Sequence, residues 1–586
     1  MKAGKTLRPD FVLIDIDLNR NKFYILDKTI YRHEDGCMRK NVALWLLVGI
    51  LAGLGVGFYV NDNLYLKINK NIDVFGQVYK EITTGYVDEI DPEKFMHAGI
   101  DGMLETLDPY TVFYGEREGE EIDLITHGEY GGVGISIGVR DGYIIVIAPM
   151  EGYSAQKQGI RAGDRIIEIN GEKIFNTNPD SVRNMVRGEP GTDVKMKIER
   201  EGEKQPLDFV LVREEIQVNN VSYSGYLDNG IGYIRLERFS RRAGDEVRQS
   251  LRELKAKGDL RGVILDLRNN PGGLLEAAVD IVSKFDPKGS TVVTTRGRRS
   301  EEEKVYTVNE EPLASDIPLA VLINKNSASA SEIVAGAIQD LDRGIIVGTR
   351  SFGKGLVQTI TQLGYNSSLK ITTARYYTPS GRSIQEIDYK HKNKDGIFLV
   401  TPDSLKHEFA TQNGRKFLDA GGIAPDSTVP ENEHSALSQE LIQKAMFFMF
   451  ATHYVSQHPA GDGGFAVDDA LLKEFEDYSK KEKFEFKDDA EQKLSELKDV
   501  LHKEKYGSTM IASLENIGTQ LEKERANAFT RHAEELREEL REEIVERYAG
   551  EKGRIKVSLG HDVQVQAAVK LLAAKKVYVA LLKPAK

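Results

Sequence analysis

The sequence predicts an α/β core interrupted by a compact β-rich domain, with an apolar span before it and a helical extension after it. Three observations carry this. From Gly230 onward, apolar strand-like runs alternate with amphipathic helical ones, the pattern of helices packed on a sheet. Between 116 and 216, short alternating runs meet at Asp141-Gly142 and Asn170-Gly171, dipeptides that favour tight hairpin turns. Beyond Glu431 the chain is strongly charged, with apolar residues at helical spacing.

Taken in order, the first segment, 1–41, carries no clear pattern. Met38 opens "MRKN", a good n-region for export, so Met38 is expected to be the biological start. Val42 to Val60 has no charge and is long enough to span a bilayer. Arg39 and Lys40 precede it, so the chain is expected to be a single-pass inner-membrane protein with the remainder outside the cytoplasm, on the periplasmic side. No clean small-residue cleavage site follows, which favours an uncleaved anchor. Residues 61–115 read as the helical N-terminal part of the core, with helical spacing from Val74 to Leu107, then the turn "LDPYTVFYG".

Within 116–216, "GGVGISIGVRDGYIIVIAPM" and "AGDRIIEINGEKI" read as hairpins, "NPDSVRNMVRG" as a short helix and "DVKMKIERE" as a strand. Residues 217–430 form the α/β core. Its strands are "IGYIRLERF", "GVILDLRNN", "PLAVLINK" and "GIIVGTR"; its helices are "AGDEVRQSLRELKAKG", one from about Leu274, and one opening at "SASASEI". In the extension 431–586, Leu536, Leu540, Ile544 and Tyr548 form an apolar stripe on a charged helix. Packing on its own chain is the expectation; an arm for a second copy or an adaptor is the alternative.

Composition excludes several classes. With a net charge of −12, nothing points to nucleic acid. A single cysteine, Cys37, rules out an intramolecular disulfide and a thiolate metal cluster. No metal or cofactor is called for.

Two motifs mislead. Gly134 to Gly138 matches G-x-S-x-G, but a strand follows where a nucleophile elbow needs a helix, so Ser136 is not catalytic. Gly348 to Lys354 matches G-x-x-x-x-G-K, but residue 355 is Gly and a strand follows, so no nucleotide is expected. The flanking glycines instead aim Lys354 inward.

Ser329 and Glu332 form an S-x-x-E capping box. A serine at a helix start also lies beside unpaired N–H groups able to stabilise an oxyanion. None of the 11 histidines stands out as its base. A lysine deprived of water can serve instead, and Lys354 is the candidate, with Gln358 able to hold its amine.

The elements "LDLRNNPGG", "SASASEI", "SFGKGLVQ" and "TPSGRSIQ", with the domain at 116–216, together resemble the carboxyl-terminal processing, or tail-specific, proteases: S41-type serine peptidases with a PDZ domain. The resemblance covers roughly Val74 to Pro425 and implies a ClpP/crotonase-like core. It implies that Ser329 is the nucleophile, Lys354 the base and Gln358 its partner, with Gly273 and Ala330 forming the oxyanion hole and Asp340 structural. It makes 116–216 the PDZ domain, binding a peptide through Gly131, Gly132, Val133, Gly134, Ile135, Met185 and Val186. The implied substrates are proteins with exposed, apolar C-terminal tails. The family further implies a resting state with a misaligned dyad. The rival reading is a non-enzymatic membrane-anchored PDZ scaffold with an inert protease-like core.

Overall fold

The computed structural model describes residues 64–115, 122, 124, 126–393, 396–458, 465–486 and 489–584. The expected anchor at 42–60, the segment 1–41 with Met38, and Cys37 lie outside the described residues. Among the described residues no helix is long and apolar enough to cross a membrane. The chain divides into two units, 1–99 and 100–586.

In the first unit the expected helical stretch is two helices rather than one: α1 over 64–85, and α2, Pro92–Leu104, which begins there. The break has a local cause. Pro92 supplies the helix start, and the Asp91 carboxylate accepts the N–H groups of Glu93 at 3.0 Å and Lys94 at 3.2 Å. Stacking of the Tyr79 ring on Phe95, at 5.8 Å, adds to this turn.

The first strand of the second unit is β1 (Val112–Tyr114). The β-rich domain contains β2 (Glu129–Gly132), β3 (Ile135–Arg140), β4 (Tyr143–Pro149), α3 (Ser154–Gln158), β5 (Arg165–Ile169), β6 (Glu172–Lys173), α4 (Pro179–Val186), β7 (Asp193–Glu199), β8 (Leu207–Val212) and β9 (Glu214–Gln217). Strands β3-β4-β5-β7-β8 form an antiparallel sheet in that order, with β6 on β5. The Asp141-Gly142 and Asn170-Gly171 turns fall where expected, with φ of 47° at Asp141 and 50° at Asn170. The ribbon β2–β9 pairs the two ends of the insertion, Tyr130 against Ile216. A β-domain inserted in a core must return its chain close to where it left, and this ribbon does so.

The core then runs β10 (Val221–Tyr226), β11 (Ile231–Leu236), α5 (Ala243–Lys257), β12 (Gly262–Asp266), α6 (Leu275–Val282), β13 (Thr291–Gly297), β14 (Lys304–Thr307), β15 (Leu319–Ile323), α7 (Ala330–Asp340), β16 (Ile345–Gly348), β17 (Leu356–Gln362) and β18 (Ser368–Tyr377). One sheet has the order β10-β11-β12-β15-β16, with Ser427–Thr428 at its far edge. From β11 to β16 the strands are parallel. Every residue of β12, β15 and β16 is buried, because a parallel sheet is covered on both faces.

Alternate residues separate cleanly. Ile234, Val263, Leu265, Val321 and Ile346 pack with α5, α6 and α7. Tyr233, Ile264, Ala320, Leu322, Ile345 and Val347 face the other way, onto residues 555–578. Those belong to the extension, which holds α8 (Ala436–Gln443), α9 (Met446–Gln457), α10 (Asp469–Lys481), α11 (Asp489–Lys503), α12 (Ser508–Ala526), α13 (Ala528–Arg531), α14 (Ala533–Ser558), α15 (Val563–Ala573) and α16 (Lys575–Leu581). The extension therefore packs on its own chain, as expected, and supplies the third layer of the core. Leu536, Leu540 and Ile544 of the stripe are buried with Phe447, Phe450 and Phe475 in a separate helical cluster. A second, antiparallel sheet, β1-β18-β13-β14 with β17 on β18, was not evident from the sequence.

Candidate active site

Parallel pairing brings the C-terminal ends of β12, β15 and β16, with the loops that follow them, to one edge of the sheet. Those loops carry Gly273, Ser329 and Lys354, so residues far apart in sequence meet for a topological reason.

The three serines of "SASAS" have distinct fates. Ser327 is fully buried and donates to the Leu267 carbonyl at 2.8 Å. Ser331 is fully buried and donates to the Asn270 carbonyl at 2.9 Å. These bonds, with Ala328 N–H to the Asn270 carbonyl at 3.1 Å, pin the serine loop to the "NNPGG" loop. Ser329 alone stays partly open. It sits at the N-terminus of α7 with φ 55° and ψ −112°, a strained backbone for a residue with a side chain. A capping box forms there with Glu332, whose carboxylate accepts the Ser329 N–H.

Glu332 does more than cap. It is fully buried, and one oxygen accepts Ser329 N–H at 2.8 Å and Lys354 N–H at 2.9 Å. The other accepts the Ser351 hydroxyl and Gly353 N–H, both at 2.6 Å. One carboxylate thus holds the serine and lysine loops together. Burial pushes its pKa up to about 7, against the pull of these four bonds. Tyr376, from β18, makes a second bridge: its hydroxyl lies 2.6 Å from the Lys354 carbonyl and 3.1 Å from the Ser329 carbonyl.

The Lys354 side chain is mostly buried. Burial first, then the charge of Lys370, lower its pKa to about 8, while Asp108 and Glu332 oppose the shift. Its Nζ lies 4.0 Å from the centre of the Tyr110 ring. No hydrogen bond joins it to the Ser329 hydroxyl or to Gln358. Gln358 instead donates to Thr372 Oγ1 at 3.1 Å, and Thr372 Oγ1 donates to Asp108 at 3.1 Å.

The "NNPGG" loop abuts the serine. A Cβ on Gly272 would lie 2.9 Å from both Ala330 N and the Ser329 Cβ, so only glycine allows this approach. Gly272 N–H is taken by Asn270 at 2.9 Å. The N–H groups of Gly273 and Ala330 make no hydrogen bond among the described residues. Two free donors beside a serine hydroxyl suit a developing oxyanion. Asp340, at the other end of α7, pairs with Arg382 at 2.9 Å, both almost fully buried, which is a structural arrangement.

In the β-rich domain, Gly132, Val133, Gly134 and Ile135 line a cavity of about 280 Å³ with Val186 of α4. β3 is an edge strand, with its outer side unpaired among the described strands. Two expected groove residues sit elsewhere. Gly131 packs against the Gly188 backbone, its carbonyl accepting Gly188 N–H at 3.2 Å. Met185 packs on the domain's core while Arg183 and Val186 face the cavity, because helix periodicity puts Arg183, not Met185, on the face of Val186. Arg238, from the α/β core, also lines this cavity. Ser136 pairs with Ala148 within β3–β4, and β17 follows Lys354, so neither misleading motif has the structure its chemistry needs.

Sequence reasoning missed Tyr376 and Tyr110, and gave Glu332 only its cap. Their roles depend on the second sheet, whose pairing no local signal announces.

Family models match along the chain: peptidase family S41 at residues 230–392, a PDZ domain at 145–200, the helical C-terminal domain of a probable PDZ-protease at 437–572, and the N-terminal domain of the activating protease CtpB at 60–118. The carboxy-terminal-processing protease of Bartonella bacilliformis is 40% identical over 321 residues, 54% of this chain and 73% of that protein. The carboxy-terminal processing proteases CtpB and CtpA of Bacillus subtilis are 34% identical over 321 residues and 30% identical over 387 residues. The first alignment covers 54% of this chain and 66% of CtpB. The second covers 66% of this chain and 79% of CtpA.

Proposed function

This chain belongs to the carboxy-terminal processing serine proteases of peptidase family S41, and on that footing we propose that it cleaves proteins by a Ser329–Lys354 dyad after seizing their C-terminal tails in its PDZ domain. The observation that carries this reading is the shared carboxylate of Glu332, which ties the N–H of the strained Ser329 to that of a buried Lys354.

Neutral Lys354 takes the proton from the Ser329 hydroxyl as its oxygen attacks the scissile carbonyl. The oxyanion faces the N–H groups of Gly273 and Ala330. The ammonium then gives its proton to the departing amine, leaving an ester on Ser329. Lys354 next draws a proton from water as the water oxygen attacks the ester, then returns that proton to the Ser329 oxygen as the new carboxyl terminus departs. Lys354 must leave the Tyr110 ring to do this, and Gln358 would turn from Thr372 to hold the amine afterwards. The tail would pair with the free edge of β3, its carboxylate held by N–H groups of the Gly132–Gly134 loop. The apolar walls at Val133, Ile135 and Val186 favour an apolar last residue. The uncharged run at 42–60, with Arg39 and Lys40 before it, supports an anchored enzyme acting outside the cytoplasm.

The test follows degradation of an unstructured protein with an apolar free C-terminus. Cleavage by the wild type and none by Ser329→Ala or Lys354→Ala is expected, with an amidated tail cut far more slowly. Equal cleavage of free and amidated tails would refute tail capture; cleavage by either variant would refute the dyad.

A further inference from the structure

The turn before β1 has so far served only as a neighbour of Lys354. Asp108 shapes it, accepting Tyr110 N–H at 2.9 Å and Thr111 N–H at 3.1 Å. β1 pairs antiparallel with β18, and Thr372 of that strand bonds both Thr111 and Asp108. The turn is therefore fixed to the strand that also carries Tyr376. The Tyr110 hydroxyl and the Tyr389 hydroxyl lie 2.9 Å apart, with their rings edge-to-face at 5.7 Å. Burial keeps the Tyr110 hydroxyl protonated, so its partner for a cation is the ring face and not a phenolate.

We propose that Tyr110 is a positioning residue for the base: its ring holds the ammonium form of Lys354 off Ser329, and loss of the proton releases the amine toward the serine. This rests on Lys354 being the base. The ring attracts a cation through its negative face and has no such hold on a neutral amine. The ring centre lies 4.0 Å from Nζ. The other charged and titratable groups facing the lysine are Asp108 on the turn, Glu332 on α7, and Lys370 and Tyr376 on β18. None makes a hydrogen bond or ion pair with Nζ among the described residues. Glu332 and Asp108 are engaged with N–H and hydroxyl donors. The ring is thus the group that holds the ammonium, and it connects protonation of the base to its place.

The ring exerts two opposed effects. It excludes water from Lys354, which favours the neutral amine, and its face favours the ammonium. Replacing Tyr110 by a trifluorinated phenylalanine gives up the hydroxyl contact with Tyr389, keeps the first effect and weakens the second; Tyr110→Phe gives up the same contact and keeps both, so it is the control; Tyr110→Leu is a cruder version. The experiment measures kcat and KM against pH for the full chain with each replacement. The acid limb of kcat is expected to move down by about half a pH unit with the fluorinated ring, roughly threefold more free amine at a fixed acid pH. Tyr110→Phe is expected to keep the wild-type limb, and KM to stay unchanged in both. An unmoved limb with the fluorinated ring, or a limb moved upward, overturns the proposal. So does an equal loss of kcat in the phenylalanine and fluorinated forms with no change of pH profile, the signature of a merely structural ring. The fluorinated form preserves the packing, so the test does not depend on Tyr110→Leu folding. Activity surviving in Lys354→Ala would strike the dyad itself, a failure separate from these.

Discussion

Replacing Glu332 by glutamine gives the sharpest test of how the Ser329 and Lys354 loops, the proposed nucleophile and base, are held in register. The carboxylate accepts four donors, two on each oxygen. An amide of the same shape has one accepting oxygen. With its NH2 toward Ser351 and Gly353, the Ser351 hydroxyl turns to accept, but Gly353 N–H is stranded. The opposite orientation strands both Ser329 N–H and Lys354 N–H. The first is preferred, and one stranded buried donor costs about 1–3 kcal/mol. A pH dependence accompanies it. The folded pKa of Glu332 is raised from 4.5 to about 7 by burial. A carboxyl raised in this way contributes stability that is complete below its unfolded value and lost as pH rises through the folded one. Over that interval the wild type loses on the order of 3 kcal/mol that the glutamine variant cannot lose. The variant is therefore less stable at pH 4.5, and the gap narrows or reverses by pH 8. Scanning calorimetry reads this as several °C of relative shift, at about 2–4 °C per kcal/mol. The gap in Tm should change with pH, and kcat should fall with tail-peptide affinity intact. A gap that stays constant between pH 4.5 and 8 would refute the buried, proton-binding carboxylate. A variant with wild-type kcat would refute its part in aligning the loops.

Other expectations follow from the same geometry. Since Lys354 has a pKa lowered to about 8 and, as the proposed base, would act when neutral, kcat should rise about tenfold per pH unit up to about 8 and then level off; a limb near 10 in a pH–rate profile would contradict the burial of the amine. Gly272→Ala would place a methyl 2.6 Å from the Ala328 carbonyl and 2.9 Å from Ala330 N, at a φ of +98°, so kcat should fall by about a hundredfold or more while the PDZ cavity still binds peptide. Asp340→Ala would leave Arg382 buried without its partner, at a cost of about 3–5 kcal/mol, visible as a lower Tm with per-molecule activity unchanged.

Much of the site was legible because its chemistry is local in sequence. The S-x-x-E start of α7, the glycines around Lys354 and the "NPGG" loop each carry a backbone requirement that residue type reveals. Strands β12, β15 and β16 were legible because strands buried on both faces are unbroken apolar runs. What was illegible depends on pairing between distant segments. β18 has the burial pattern of a half-exposed strand, with polar residues throughout, and it pairs with β1 across more than two hundred residues. Tyr376 reaches Ser329 and Lys354, and Tyr110 reaches Lys354, only through that sheet. Glu332 was visible as a cap, but its bonds to Ser351, Gly353 and Lys354 required the loop after β16 to fold back over α7. On the same helix as Met185, it is Arg183 and Val186 that line the cavity, a difference of phase that apolar character alone does not expose.

The helical extension bears on the site more directly than its remoteness in sequence suggests. One face of the parallel sheet is closed by Ile555, Leu559, Val565, Ala568, Val569 and Leu572, and burying each large aliphatic side chain contributes roughly 1.5–3 kcal/mol. The Tyr578 hydroxyl lies 3.0 Å from Leu319 N, holding the start of β15, the strand that ends just before the serine loop. Arg268 is the closest link. It follows β12, pairs with Asp266 and with Asp562, and donates to Gln564 at 2.8 Å. Asp562 is also the N-cap of α15, accepting the N–H groups of Gln564 and Val565 at 3.0 Å. The next residues, Asn269 and Asn270, place the "NNPGG" loop: Asn269 has φ 59°, and Asn270 accepts Ala328 N–H and the Ser331 hydroxyl. A chain of direct contacts thus runs from the cap of a C-terminal helix to the loop that sets Gly272 against Ser329. Two negative partners hold Arg268 in a largely buried site, where a single lost carboxylate leaves the guanidinium undercompensated. The extension thus contacts the backbone at Arg268, just before the loop proposed to supply an oxyanion donor, through a helix that begins at residue 563.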